Sequence, residues 1–147
     1  MLSATAFAVG APFRLGAATS VTVDVARDPD CGCCEAWIDI LERSGFAVRQ
    51  RHLNAEALAR HKVELGISPA MASCHTATVE GYVIEGHVPV ADLRRLLADR
   101  PDALGFSVPG MPYGSPGMGP KSEREAFDVY LLHRDGSAEV YASYAAA

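Results

Sequence analysis

No stretch of the chain approaches the ~20 consecutive apolar residues needed to cross a bilayer, so no transmembrane helix is expected. Basic residues are also few, 13 Lys and Arg against 18 Asp and Glu for a formal net charge of -5. They are dispersed as well, which argues against a nucleic-acid binder, because neutralising phosphates takes a clustered cationic surface. The nearest approach to a cluster, Arg49, Arg51 and His52, alternates with Gln50 and reads as one solvated strand face. Internal repeats are absent. A complete export signal is missing too: the start has neither a basic n-region nor a full-length apolar core. Leu2 to Ala8 are nevertheless small and mostly apolar, and Ala6-Phe7-Ala8 has the A-x-A form that a signal peptidase cuts. Residues 1–20 are therefore expected to be the remnant of an export signal or a disordered leader, and residues 21–147 a single domain. The 49% hydrophobic content of the 147 residues is enough for a real core.

From Val21 the pattern becomes regular. Val21, Val23 and Val25 alternate with Thr22 and Asp24, as in a strand with one buried face. Asp28-Pro29-Asp30 is turn chemistry, and Trp37, Ile40 and Leu41 then give a short helix closed by Gly45. Phe46 and Val48 begin a second strand. Asn54 can cap a second helix with Leu58, His61 and Leu65 on one face and Gly66 at its end. His75 to Val79 and Tyr82 to Ile84, joined through Glu80-Gly81, form an antiparallel pair. Pro89 fits the first turn of a third helix, with Leu93, Leu96 and Leu97 inward, and Pro101 stops it. Phe127 to His133 and Ser137 to Tyr144 flank Asp135-Gly136, a hairpin signal. The expected class is α/β and thioredoxin-like: a central mixed sheet with flanking helices, plus an extra C-terminal β-hairpin.

The chemistry lies in the cysteines. Three of the four, Cys31, Cys33 and Cys34, fall within one short segment at a helix N-terminus, where unpaired N–H groups and the helix dipole favour a thiolate. Thiolates are both the nucleophiles of disulfide exchange and the ligands of soft metals. A dithiol oxidoreductase needs only Cys31 and Cys34, whereas a metal site uses the additional Cys33 naturally. Cys74, beside His75, precedes the third strand and adds a fourth sulfur and an imidazole; His87 is a further candidate ligand. Pro109 to Pro120 holds four of the nine prolines, four glycines and two methionines, a long loop with too little side chain to pack alone. Its Met111 and Met118 offer thioethers, which select Cu(I), or else apolar anchors for the loop. Structural zinc would normally close with four Cys or His in two spaced pairs. The competing reading of the cysteines is a disulfide, for example Cys31 to Cys34 with the others free. His61 is expected to be partly buried on its helix, His52 and His133 to sit on strand faces, and Trp37 to pack behind the site.

Taken together, C-G-C-C-x-x-W at Cys31 to Trp37, S-C-H-T-A at Ser73 to Ala77, G-Y-x-I-E-G-H-V-P at Gly81 to Pro89 and V-P-G-M-P-x-G-S-P-G-M at Val108 to Met118 resemble the CopG-type copper-resistance and metal-binding proteins of bacteria. The resemblance runs from about Val21 to Tyr144. It implies a thioredoxin-like fold, export to the periplasm, and a copper cluster bridged by cysteine sulfurs that can support copper redox chemistry. Carried over by motif, Cys31, Cys33, Cys34 and Cys74 are the thiolate ligands, joined by His75, His87, Met111 and Met118. The expected function is thus periplasmic copper binding in copper resistance, with several Cu(I) ions, or Cu(II) in part, as cargo and a periplasmic copper-handling or redox protein as partner. Two alternatives stand beside it: a thiol-disulfide oxidoreductase using Cys31 and Cys34, and a zinc-stabilised interaction module. Exposed thiolates could also bridge two chains through shared metal.

Overall fold

The computed structural model describes residues 20–147. All but the last residue of the expected leader, 1–20, lies outside them. Seven strands and three helices follow in the order β1 (Thr22–Arg27), α1 (Gly32–Arg43), β2 (Ala47–His52), α2 (Ala55–Glu64), β3 (His75–Val79), β4 (Tyr82–Glu85), α3 (Val90–Asp99), β5 (Gly105–Ser107), β6 (Phe127–Leu132) and β7 (Ala138–Tyr144). The strands make one mixed sheet in the order β2-β1-β3-β4-β5-β6-β7. β1 runs parallel to β2 through the α1 crossover and antiparallel to β3, and β4 runs parallel to β5. The α/β class with a central mixed sheet is as expected.

Alternation in β1 buries Val23 and Val25 on one face. Against that face pack Trp37, Ile38 and Leu41 of α1 and Leu93 and Leu96 of α3, together with Ala77, Ile84, Phe106 and Val129 from the sheet. Each such fully buried side chain contributes roughly 1.5–3 kcal/mol relative to exposure. The inward row of α1 therefore includes Cys34 and Ile38, while Ile40 is only half-buried. On the opposite face a smaller cluster gathers Ile67, Val83 and Leu132. α2 serves this side. Asn54 caps it as expected, its side chain accepting from Ala57 N at 2.9 Å. Leu58 and Lys62 are its buried residues; His61 and Leu65 are half-buried, so the inward row follows i, i+4 and not the predicted 58-61-65 face.

One further difference concerns the start of α3. Pro89 stands at the N-cap of α3, one position before the first turn. The extra C-terminal hairpin is present as expected, and β5, three residues long and too short to show periodicity, pairs with both β4 and β6 and joins the hairpin to the sheet. The β3–β4 turn has positive φ at both Glu80 (45°) and Gly81 (89°), which a two-residue hairpin of this kind requires. No helix among the described residues is long and apolar enough to cross a membrane.

Candidate metal centre

Strand register brings the cysteines together. Arg27, the last residue of β1, pairs with His75, the first of β3, and Thr76 pairs with Glu85, the last of β4. The end of β1, the start of α1, the start of β3 and the end of β4 therefore meet at one end of the sheet. Arg27 is buried at the junction and shapes the approach to Cys31: its guanidinium donates to the carbonyls of Asp28 and Pro29 at 3.0 and 3.1 Å and pairs with Glu35 of α1. Cys31 is the N-cap of α1 and makes no side-chain capping bond, which leaves its sulfur available for other chemistry.

Cys31 and Cys34 are joined by a disulfide, with Cys33 and Cys74 free. The Cys33 sulfur lies 3.5 Å from that of Cys31 and 3.7 Å from that of Cys74. Cys74 in turn sits 3.3 Å from His75 Nδ1 and 3.1 Å from His87 Nε2. Among the described residues two groups have donor atoms close enough to share an ion: Cys31, Cys33, Cys34 and Cys74, and separately Cys74, His75 and His87. Cys74 belongs to both.

Both imidazoles are fully buried. His75 lies between Trp37, with ring centroids 4.5 Å apart, and the edge-on ring of His87 at 5.0 Å. Its Nε2 is buried without a hydrogen-bond partner, which for a polar atom costs free energy unless something binds there. His87 Nδ1–H donates to the Pro116 carbonyl at 2.8 Å, so Nε2 keeps a lone pair facing the Cys74 sulfur. Burial is the first cause lowering the pKa of both rings, well below the ordinary value for His75, where the neighbouring His87 and Lys62 add to it. Both rings are thereby held neutral, the form that ligates metals. Burial also pushes the Cys74 thiol up to about 12, with Cys33 adding to the effect, so a metal must displace its proton.

The Pro/Gly loop is a strap across this centre. Gly110 N donates to the Ala72 carbonyl at 3.0 Å, and Ser73 Oγ donates to the Gly110 carbonyl. Gly117 lies directly on the first turns of α1: a Cβ there would fall 2.8 Å from Trp37 N and 3.0 Å from the Cys33 carbonyl. Met111, next to Gly110, is 54% exposed, which does not suit an apolar anchor. Met118, next to Gly117, is half-buried in a turn closed by Gly114 N donating to its carbonyl at 2.7 Å. The fold thus gathers the four cysteines and two histidines and brings each methionine to within one residue of a strap contact. Trp37 packs behind the site as expected, its Nε1–H donating to the Val88 carbonyl at 2.9 Å. His61 is half-buried, and His52 and His133 lie at strand ends, the latter against Glu139.

Sequence reasoning missed three supports. The Pro116 carbonyl could not be read, because backbone acceptors leave no signature. Lys62 carries no signal, because a lysine on a helix is ordinarily exposed. Glu85 carried a faint signal, a carboxylate ending an otherwise apolar strand.

A mixed α/β sheet with a cluster of cysteine and histidine donors at the strand ends defines a candidate soft-metal protein. The chain resembles two solved structures of copper resistance protein copG. Form 2 is 45% identical, with a TM-score of 0.78, covering 85% of this chain and 98% of that one. Form 1 is 43% identical, with a TM-score of 0.79, covering 86% and 98%. The chain belongs to the CopG copper-resistance protein family. Residues 71–118 also match the family described as protein of unknown function, DUF411, a span holding Cys74, His75, His87 and the strap as far as Met118. Comparison with curated proteins found no match.

Proposed function

We propose that this protein serves copper resistance in the periplasm by binding several Cu(I) ions in a cysteine-bridged cluster on a thioredoxin-like scaffold. One observation carries the reading: the four-sulfur group and the Cys74, His75, His87 group share the Cys74 sulfur. A thiolate can bridge two ions, and a donor set of four sulfurs and two imidazoles exceeds what one tetrahedral ion uses. Thiolate-rich sites suit soft and borderline metals such as Cu(I) and zinc, and the thioethers of Met111 and Met118 in the strap favour Cu(I) between them. The neutral rings of His75, with Nδ1 against the Cys74 sulfur, and of His87, with Nε2 against it, fit a soft or borderline metal. The copper-resistance role of the related structures supports copper over zinc, and the export-like segment at Leu2 to Ala8 supports the periplasm.

The test is titration of fully reduced protein with Cu(I) against a competing chelator, in wild type and Cys74→Ser. The wild type should take up more than one ion. Cys74→Ser, which removes the shared sulfur, should lose both groups and not one ion alone. A variant that binds as the wild type does would sink the bridged reading.

A second reading rests on the Cys31–Cys34 disulfide at a helix N-terminus, where a thiol-disulfide oxidoreductase would keep its couple. It requires turnover of a disulfide substrate by metal-free protein, abolished in Cys31→Ser. An absence of turnover removes it.

A further inference from the structure

Beneath the metal centre, on the α2 face of the sheet, lies a buried ion pair that plays no part in the ligand set. Glu85 is fully buried and Lys62 nearly so. Lys62 Nζ donates to Glu85 Oε1 at 2.5 Å and to Thr76 Oγ1 at 2.7 Å, and Thr76 Oγ1 donates to Glu85 Oε2 at 2.5 Å. The remaining partner is a main-chain group: Ser73 N–H donates to Glu85 Oε1 at 2.6 Å. Burying such a pair is no route to stability, since apolar replacements of similar volume are often neutral or stabilising. Its position offers another reason. Ser73 immediately precedes Cys74, and Glu85 stands two residues before His87.

We propose that Glu85, held by Lys62 and Thr76, is a positioning residue of the metal centre, its carboxylate fixing Cys74, just before β3, relative to His87, just after β4. Ser73 lies before the β3 ladder and bridges to Gly110 of the strap through the Ala72 carbonyl, a pairing that leaves its own N–H without a backbone acceptor. The carboxylate supplies the missing acceptor. From the other side, Ser73 Oγ is tied to Gly110 of the strap. Between these two tethers the Cys74 sulfur is kept 3.1 Å from His87 Nε2 and 3.7 Å from the Cys33 sulfur. Without the carboxylate, Ser73 and Cys74 can rotate away while the sheet stays intact.

This inference rests on the copper-binding reading above, and a comparison of two charge-neutral double variants separates it from a merely structural role. Lys62→Met with Glu85→Gln keeps an oxygen for Ser73 N–H and an amide for Thr76. Lys62→Met with Glu85→Leu removes both. Each is titrated with Cu(I) under chelator competition beside the wild type, with thermal melts and the thiolate-to-copper absorption recorded. The Gln variant should keep the wild-type copper load and spectrum. The Leu variant should bind about tenfold more weakly, as for loss of other supports of metal ligands, with a shifted spectrum. Should the Leu variant fail to fold, Glu85→Asp retains the charge that the flexible Lys62 can follow but draws the oxygen back from Ser73. It should weaken copper binding with little change in melting temperature. Equal copper binding by the two double variants, or by Glu85→Asp and the wild type, would overturn the proposal. A wild type that binds no copper would overturn the functional reading, and this inference with it.

Discussion

Replacing Gly117 by Ala should weaken copper binding although residue 117 contributes no ligand. Gly117 has φ of +88°, and an added Cβ would meet Trp37 N at 2.8 Å and the Cys33 carbonyl at 3.0 Å, both main-chain atoms of α1 that cannot swing aside. The left-handed conformation costs an alanine about 1–2 kcal/mol. Forcing the strap off the helix adds about 1–3 kcal/mol. A displaced strap takes with it the Pro116 carbonyl, 2.8 Å from His87 Nδ1, and so releases the ring whose Nε2 faces Cys74. Loss of such a support lowers metal affinity by about 10-fold or more. Gly81→Ala is the control: its φ is +89°, but no atom lies within 4 Å of the added Cβ. That variant pays only the conformational cost. Thermal melts should show both variants destabilised, Gly117→Ala by the larger amount, at about 3–4 °C of melting temperature per kcal/mol for a chain of this size. In a chelator-competition titration only Gly117→Ala should lose Cu(I) affinity. Equal affinities in the two variants would refute the link from strap to His87.

The Cys31–Cys34 disulfide withholds two of the four sulfurs, leaving Cys33, Cys74 and the two histidines. Oxidised protein should therefore bind fewer Cu(I) ions than reduced protein when both are loaded anaerobically and counted by metal analysis; equal loads would show that Cys31 and Cys34 are not ligands. The metal-free chain should lose stability as pH falls below about 6.5, the ordinary histidine value. His75 and His87 have lowered pKa in the folded state, so the unfolded chain takes up protons that the folded one refuses. That stability is complete above the unfolded value and is lost as pH falls toward the lowered ones. Urea melts at pH 7.5 and 5.5 should differ by about 1–2 kcal/mol more in the wild type than in a His75→Phe, His87→Phe double variant; parallel behaviour would contradict the burial of neutral rings.

Much of the site was legible because its ligands are chemically distinctive and its elements obey local rules. Cys31, Cys33 and Cys34 stand at the start of α1 because Asp28-Pro29 turns the chain and Trp37 begins a buried row. Cys74 and His87 come together because β3 and β4 form a two-residue hairpin, whose Glu80-Gly81 turn is written in the sequence. The supports were harder to see, since they depend on tertiary contact. Lys62 takes an inward position on α2 because Glu85, at the end of β4, pairs with it, and no helical periodicity announces a buried lysine. β5 consists of Gly105, Phe106 and Ser107 and owes its strand to neighbours on both sides. The hairpin itself was legible from its Asp135-Gly136 turn, but not its link to the sheet through β5. The strap was recognisable as a long Pro/Gly loop, but its contact with His87 runs through a carbonyl, which every residue possesses.

The central claim is a set of copper ions bridged by cysteine sulfur. Copper K-edge X-ray absorption of reduced protein loaded with Cu(I) tests it most directly. A sulfur-dominated first shell with a nitrogen contribution and a short copper–copper vector, the vector lost in Cys74→Ser, is the expected result. A first shell of nitrogen and oxygen alone, or isolated copper with no second metal nearby in the fully loaded wild type, would contradict it.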